Sequence, residues 1–310
     1  MMNISSLRNK LRPYAYLSPA LASITALSIL PTIFTIFLAF TDASLFTFRT
    51  GFSFIGLANF KELLNGSLAR VFFPVFGWNL LYALLSTLSQ YALGVFLAVL
   101  LNNPYMRESN LYRSLFIIPW AIPGTIATIA WVALFNTSGG QINLWLNRLF
   151  GLDPIPWLQH PNLAKIATLI VNLWLGFPFF MTICLAAMSS IPDELYEAAE
   201  IDGAGAWQEF WRITFPLMFK ITVPMLVNSF ALSFNNLNTA LLLTNGMPPR
   251  IGSAWAGHTD ILASVSYKLT VDLNRYSLSA AVSVVLFLIV AGLTLVNMKV
   301  TGAFGEEEMQ

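Results

Sequence analysis

Two long apolar segments of the sequence carry polar and aromatic side chains at helical spacing. Within each segment these residues recur at intervals of three, four and seven positions, so they share one face of a helix. The first set is Asn172, Leu175, Gly176 and Phe179, and the second is Ser229, Leu232, Ser233 and Asn236. Amide and hydroxyl groups can hydrogen-bond the hydroxyls of a ligand, and flat rings can pack against its apolar faces. Both faces therefore suit a neutral, polyhydroxylated ligand.

A third apolar segment places Trp120 between Pro119 and Pro123, and we expect these prolines to bend the helix and free backbone carbonyls. A structural alternative stays open for the polar residues, because serine and asparagine in membrane helices often join neighbouring helices, at ~0.6–2 kcal/mol per hydrogen bond. Asn235 and Asn238 point away from the second face, so we expect those two residues to join helices.

The chemistry of a soluble enzyme is absent from the sequence. No G-x-x-x-x-G-K-[ST] loop occurs, and Asp202-Gly203-Ala204-Gly205 lacks the third glycine of a dinucleotide-binding turn. His160 and His258 stand alone in loops, and Cys184 is a single cysteine. We therefore expect no catalytic residues and no metal site in this chain.

The composition predicts an all-α polytopic membrane protein. Of 310 residues, 56% are hydrophobic and only 10% are charged, whereas soluble domains are about 25% charged. Six stretches lack Asp, Glu, Lys and Arg over the ~20 residues that a helix needs to cross a bilayer. Trimmed at turn residues, they predict six transmembrane helices, at 14–41, 72–101, 114–135, 164–190, 217–244 and 276–298. No ionisable residue lies centrally in any of them, which argues against a proton-driven carrier.

An acidic segment between the fourth and fifth predicted spans indicates a short helix that docks on another protein. Six acids lie between 193 and 209. Ser190 and Asp193 resemble a capping box, and Gly203 suits the C′ position with a positive φ. The face formed by Leu195, Ala198, Ala199 and Asp202 is small and flat. The alternative is a solvated connector on the membrane surface.

This segment resembles the EAA motif of type I ABC importer permeases. The matching residues are Glu197, Ala198, Ala199, Asp202, Gly203, Ile213 and Pro216, and Phe215 stands where the family usually has leucine. The resemblance implies a MetI-like core at 72–298 with a cytoplasmic, ATPase-coupling helix at about 191–203. Residues 1–71 would then form an N-terminal tail, the first transmembrane helix and an external loop, and residues 299–310 a cytoplasmic tail.

Four further segments, 172–179, 229–236, 241–246 and 256–262, look like the MalF-type maltose/maltodextrin permease subfamily. The resemblance implies a substrate pocket formed by Trp120 and the two polar faces. Leu232 stands where an aromatic residue is expected, Ser233 where an asparagine is expected, and Trp120 and Phe179 where tyrosines are expected. The implied function is half of the translocation pathway of an ATP-driven sugar importer for maltose or maltodextrin. Alternatives are another neutral oligosaccharide or disaccharide, such as trehalose, and a self-sufficient secondary carrier.

The same resemblance implies the partners. These are a second homologous permease subunit of the MalG type, two cytoplasmic ATPase subunits of the MalK type and a periplasmic or extracellular sugar-binding protein. ATP and Mg would bind the ATPase subunits, so this chain would hold no cofactor. The chain would be a multi-pass inner-membrane protein with both termini in the cytoplasm. With 16 basic and 15 acidic residues, nothing indicates a nucleic-acid partner.

Overall fold

The computed structural model of the chain describes Tyr14 and residues 16–103 and 105–300, apart from the side chains of Ala254 and Val300. The basic N-terminal residues and residues 301–310 of the predicted cytoplasmic tail lie outside this part of the chain. The described residues are predominantly helical, with one short antiparallel hairpin. The elements in chain order are α1 (Tyr16–Leu38), α2 (Thr47–Thr50), α3 (Ala58–Asn65), α4 (Ala69–Leu101), α5 (Ser109–Ala121), α6 (Gly124–Leu134), α7 (Gln141–Phe150), α8 (Pro161–Ser189), α9 (Glu194–Ile201), α10 (Ala206–Phe234), α11 (Leu237–Thr244), β1 (Pro249–Arg250), β2 (Ser253–Gly257), α12 (Leu262–Val271) and α13 (Tyr276–Val300).

Five of these helices, α1, α4, α8, α10 and α13, are long and apolar enough to cross a membrane. A sixth crossing is possible only if α5 and α6 are counted as one span. The predicted all-α membrane fold is therefore confirmed, and four of the six predicted spans correspond closely to single helices.

The third predicted span, 114–135, is divided between two helices, and the bend expected at its prolines is present. Helices α5 and α6 meet at an angle of 91°. Pro123 is the cause, because it excludes the preceding residue from helical geometry, and Ile122 is extended at φ −81° and ψ 132°. With 13 and 11 residues, the two helices are roughly 20 and 17 Å long, which is shorter than a bilayer core of ~30 Å.

The fifth predicted span, 217–244, is wrong in its extent. Helix α10 begins earlier, at Ala206, contains a π-helical turn at Phe210–Thr214 and ends at Phe234. The chain leaves helical geometry at Asn235 and Asn236 before α11 begins. Consecutive asparagines favour such a break because their side chains compete for backbone hydrogen bonds.

The chain divides into two compact units. One unit contains the described residues up to Ala69 together with Ser266–Val285, and its core is formed by Ala39, Ala280 and Ala281. In this unit, Asn59 donates hydrogen bonds to the carbonyls of Ala39 and Thr41, both at 2.8 Å, which fixes the chain where it leaves α1.

The other unit contains Arg70–Val265 and the residues from Leu286 onward. In this unit α4 packs closely against α8, where Gly94 lies so near Phe180 that a Cβ on the glycine would come within 2.6 Å of the Cβ of Phe180. Tyr91, Cys184 and Met218 complete this apolar cluster. The unit holds all the residues that the sequence assigned to the substrate pocket and to the coupling segment.

Candidate functional site

The two predicted polar faces meet at a pair of asparagines. The Asn236 side chain donates a hydrogen bond to Oδ1 of Asn172 at 3.1 Å and another to Oγ1 of Thr239 at 3.2 Å. Asn172 is buried on α8, at 5% exposure, whereas Asn236 lies half-buried in the break between α10 and α11. The break therefore brings Asn236 to Asn172, although the sequence had placed it on a continuous helix.

An aromatic pair lies two helical turns along α8 from Asn172. The rings of Trp120 and Phe179 are tilted by 54°, with centroids 6.1 Å apart. Trp120 is 57% exposed and Leu232, on α10, is 65% exposed. These two side chains present an open apolar surface within the same unit.

The residues of the predicted face on α10 differ in exposure. Ser229 and Ser233 are buried, at 8% and 6% exposure, while Leu232 is exposed on the same helix. Asn235 and Asn238, which were expected to join helices, are exposed within this chain. The helix end at Phe234 turns the residues that follow it away from the direction that continuous helical spacing gives them.

Leu175 and Gly176 have packing contacts that the sequence reading did not foresee. Leu175 packs against a cluster that includes Phe135 and Val171. Gly176 lies against Gln90 of α4, and a Cβ at this glycine would collide with the side-chain amide of Gln90. Gln90 donates a hydrogen bond to the backbone carbonyl of Asn172 at 2.8 Å. It was missed because it lies in a different apolar segment, where only its polar side chain marks it in the sequence.

The coupling segment forms the predicted short helix, α9, and Gly203 ends it as expected. Gly203 has φ +76°. Its amide donates to the carbonyl of Glu200 at 3.0 Å, and the next amide, of Ala204, donates to Ala199 at 2.9 Å. These two hydrogen bonds constitute a Schellman motif, which fixes the direction of the chain after the helix.

The predicted capping box at the start of this helix is wrong. The N-cap residue is Asp193, with no side-chain capping hydrogen bond, and the helix itself begins at Glu194. The Ser190 hydroxyl instead donates to the carbonyl of Ala187 at 2.7 Å, at the end of α8. Ser190 is three residues too early because Pro192 delays the first helical turn.

The surface of α9 is both acidic and apolar. Glu197, Ala198 and Asp202 are exposed, as are Leu195 at 42% and Ile201 at 87%. A hydrogen bond of 2.9 Å between Tyr196 Oη and Thr214 Oγ1 joins α9 to the π-helical turn of α10. Of the remaining motif residues, Ala199 lies in α9 and Gly203 ends it, whereas Ile213 and Pro216 lie within α10, Ile213 in its π-helical turn.

A second feature that the sequence reading missed is an aromatic cluster after α9. Trp207, Phe210, Trp211 and Phe215 are in successive ring contacts of 5.1–6.4 Å. They line a largely apolar cavity of about 700 Å³ against α4. The spacing of three and four residues among these aromatics is the signal that could have revealed it.

The described residues contain no group of three or more metal-ligating side chains. His160 is exposed and His258 is half-buried beside the hairpin. Burial lowers the pKa of His258, and the charges of Arg250 and Lys165 lower it further.

This chain resembles known membrane components of transport systems. Residues 90–299 match the family described as binding-protein-dependent transport system inner membrane component. The galactooligosaccharides transport permease GanP of Bacillus subtilis is 35% identical over 298 residues, which are 95% of this chain and 71% of GanP. The maltose/maltodextrin permease MalF of Salmonella typhimurium is 39% identical over 252 residues, which are 80% of this chain. The chain spans about half the length of that protein, 49%.

Solved structures agree on the fold. A bacterial ABC transporter that imports the acidic polysaccharide alginate has a chain that superimposes with a TM-score of 0.78 at 24% identity, over 96% of this chain and 98% of that one. An amino acid ABC transporter superimposes with a TM-score of 0.51 at 14% identity, over 76% of this chain and 94% of that one. At these identities the likeness concerns the fold alone.

The matched residues include α9, the Asn172–Asn236 pair and the Trp120–Phe179 pair. Subunits of this family form the membrane part of ABC transporters and do not hydrolyse ATP, which is the work of partner subunits. The chain therefore belongs to the binding-protein-dependent transport system inner membrane component family, as a multi-pass, non-catalytic permease subunit of an ABC importer.

Proposed function

We propose that the chain is the permease subunit of an importer for neutral oligosaccharides, with maltose and maltodextrins as its substrates. The observation that carries the proposal is the pairing of Asn172 with Asn236 on the same face of α8 as the Trp120–Phe179 ring pair. Amides supply directed hydrogen bonds to sugar hydroxyls, and the rings supply a surface for the apolar face of a pyranose. None of the proposed contact residues is charged, which disfavours an anionic substrate.

The relatives support a sugar substrate and leave two candidates. MalF carries the name of a maltose/maltodextrin permease and GanP that of a galactooligosaccharide permease. Galactooligosaccharides are therefore the second candidate, favoured by the greater coverage of this chain by GanP. Trehalose remains a further possibility within the same neutral class. The nine residues proposed to contact the sugar are Trp120, Asn172, Leu175, Gly176, Phe179, Ser229, Leu232, Ser233 and Asn236.

The chain would form only half of the pathway. Trp120 and Leu232 are more than half exposed although they lie in apolar helices. A second, homologous permease subunit would cover this surface and supply the other half of the pocket. An external sugar-binding protein would deliver the substrate, as the family description implies.

The exposed α9 would couple the pathway to a pair of cytoplasmic ATPase subunits. Its carboxylates and exposed Leu195 and Ile201 suit insertion into a cleft on another protein. This docking would place the α8–α10 connection in the cytoplasm, and both termini with it when α5 and α6 are counted as one span. ATP-driven closure of the ATPase pair would move α9, and the Tyr196–Thr214 hydrogen bond would transmit that movement to α10. The proposed pocket would then open outward, and hydrolysis would return it inward.

The test is uptake of labelled sugars by the reconstituted complex in proteoliposomes. ATP-dependent, binding-protein-dependent uptake of maltose or maltotriose that falls in Asn172→Ala supports the proposal. Galactooligosaccharide uptake without maltose uptake would move the assignment to the second candidate. Uptake that continues without ATP would overturn it in favour of a self-sufficient carrier.

A further inference from the structure

Helix α4 carries a strip of buried polar side chains that the proposed pocket does not use. Tyr82, Ser86 and Gln90 recur every four residues, so they share one face of the helix. Their exposures are 3%, 0% and 5%. We call these three residues the α4 polar strip. Buried polar groups in an apolar membrane protein need hydrogen-bond partners, because lipid and apolar side chains supply none.

Only part of that need is met within the part of the chain that the structure describes. Gln90 donates to the backbone carbonyl of Asn172 at 2.8 Å. The Tyr82 hydroxyl, the Ser86 hydroxyl and the side-chain nitrogen of Asn172 are buried and make no hydrogen bond to the described residues. The Tyr82 hydroxyl faces the hydroxyls of Thr239 and Ser86 without reaching hydrogen-bonding geometry.

These groups form a polar network around the Asn172–Asn236 pair. Gln90 holds the backbone of Asn172, Asn236 bonds the side chain of Asn172, and Asn236 also bonds Thr239. Thr239 in turn lies by Tyr82. The network joins α4, α8 and α11 at the asparagine pair.

We propose that the α4 polar strip positions Asn172 for the sugar. Gln90 acts directly, through its hydrogen bond and its contact with Gly176, and Tyr82 and Ser86 act through a water molecule bound among their hydroxyls and the Asn172 amide. Water suits these groups chemically, because it can both donate to and accept from the three groups that have no partner among the described residues. The residues of the strip do not touch substrate, and the inference rests on the pocket assignment of the proposed function.

The packing of Gln90 on Gly176 can be tested by enlarging one residue and shortening the other. In Gly176→Ala, the added methyl group meets the Gln90 amide and displaces it from Asn172. Gln90→Ala removes that amide and its hydrogen bond. We expect each single variant to raise the KM for sugar uptake by roughly five- to thirtyfold while kcat changes less than twofold. In the double variant the alanine methyl group has room, because the Gln90 amide is gone. The KM of the double variant should therefore equal that of Gln90→Ala alone.

The double variant separates positioning from direct contact. If Gly176→Ala acts because the added methyl group obstructs sugar, the effects of the two changes on KM will multiply and the proposal is overturned. Ser89→Ala is the matched control on the same helix, because among the described residues the Ser89 hydroxyl bonds only the carbonyl of Ser86, at 3.1 Å. It should leave KM unchanged. Asn172→Ala and Asn236→Ala are measured alongside: if neither alters uptake, the pocket itself is misassigned, whereas an effect there without one at Gln90 rejects only the positioning role.

A bound water and unpartnered hydroxyls predict opposite changes in the melting temperature when a hydroxyl is removed. Removing a buried hydroxyl that has no partner raises the melting temperature of a complex, while removing one that bonds water lowers it. We expect Ser86→Ala and Tyr82→Phe each to lower the melting temperature of the detergent-purified complex and to raise KM in the same direction as Gln90→Ala. A melting temperature that rises or stays constant in both variants refutes the water bridge.

Discussion

Gly203 offers the clearest test of the coupling segment, because its effect can be traced to the backbone alone. At φ +76° this residue lies in the left-handed region, and a Cβ added there would meet no atom within 4 Å. Gly203→Ala therefore changes conformational preference without a steric collision. An L-residue in that region costs roughly 1–2 kcal/mol relative to glycine. The C-terminal turn of α9 and its two Schellman hydrogen bonds should weaken by that amount, which is a roughly five- to thirtyfold shift in the local equilibrium.

The assay is ATP hydrolysis by the reconstituted complex, stimulated by the sugar-loaded binding protein. We expect Gly203→Ala to lower stimulation several-fold while the permease still inserts in the membrane. Gly203→Asn should recover part of the loss, since asparagine tolerates the left-handed region better than alanine. Gly205→Ala is the matched control: Gly205 is extended at φ −90° and ψ 164°, and a Cβ there would also meet no atom within 4 Å. Equal stimulation in Gly203→Ala and Gly205→Ala would refute the reasoning.

Three further predictions concern the pathway. Asn236→Ala should raise the KM of uptake roughly five- to hundredfold through loss of ~1–3 kcal/mol of hydrogen bonding, whereas the exposed Asn235→Ala should leave KM unchanged; the reverse order would place the pocket elsewhere. Trp120→Ala should raise KM several-fold, because the ring contributes ~0.5–1.5 kcal/mol of stacking energy, and Trp120→Tyr should restore most of the affinity by supplying another ring. An unaltered KM in the alanine variant would exclude sugar contact. Pro123→Ala should let α5 continue into α6, so that spin labels on exposed positions of the two helices move apart; an unchanged distance would show that tertiary packing, and not the proline, makes the bend.

The positions of the helices were largely predictable because a bilayer imposes one demand on all of them. Any helix that crosses it needs a long stretch without charge, and such stretches are visible in the sequence. Helix extents were harder to predict where a local backbone preference acts inside an uncharged stretch. The bend at Pro123 was expected but not its angle of 91°, and the break at Asn235 and Asn236 that separates α10 from α11 was not expected, because neither feature introduces a charge.

The coupling segment was more predictable than the pocket. Its motif is local, so the positive φ of Gly203 follows from the short helix that precedes it. The contacts of the pocket join residues far apart in the chain, such as Asn172 with Asn236, and no single helical spacing specifies them. Ser229 and Ser233 illustrate the difference: they occupy one face of α10 as expected, but that face is buried within this chain.

Polar and aromatic residues in the apolar helices therefore serve two purposes, contact with sugar and support of the contacting residues. Their neighbours decide which purpose each residue serves. Gln90 is polar and lies in an apolar helix, as the proposed sugar contacts do, but it is covered by Gly176 and hydrogen-bonded to a backbone carbonyl. Trp120 lies in an equally apolar helix and is 57% exposed. A pathway for a neutral solute needs both kinds of residue, because hydrogen-bonding groups that are free to meet a sugar must be held in place by others that are not. Gly176 connects the two kinds of residue, since only a residue without a Cβ lets the Gln90 amide reach the backbone carbonyl of Asn172.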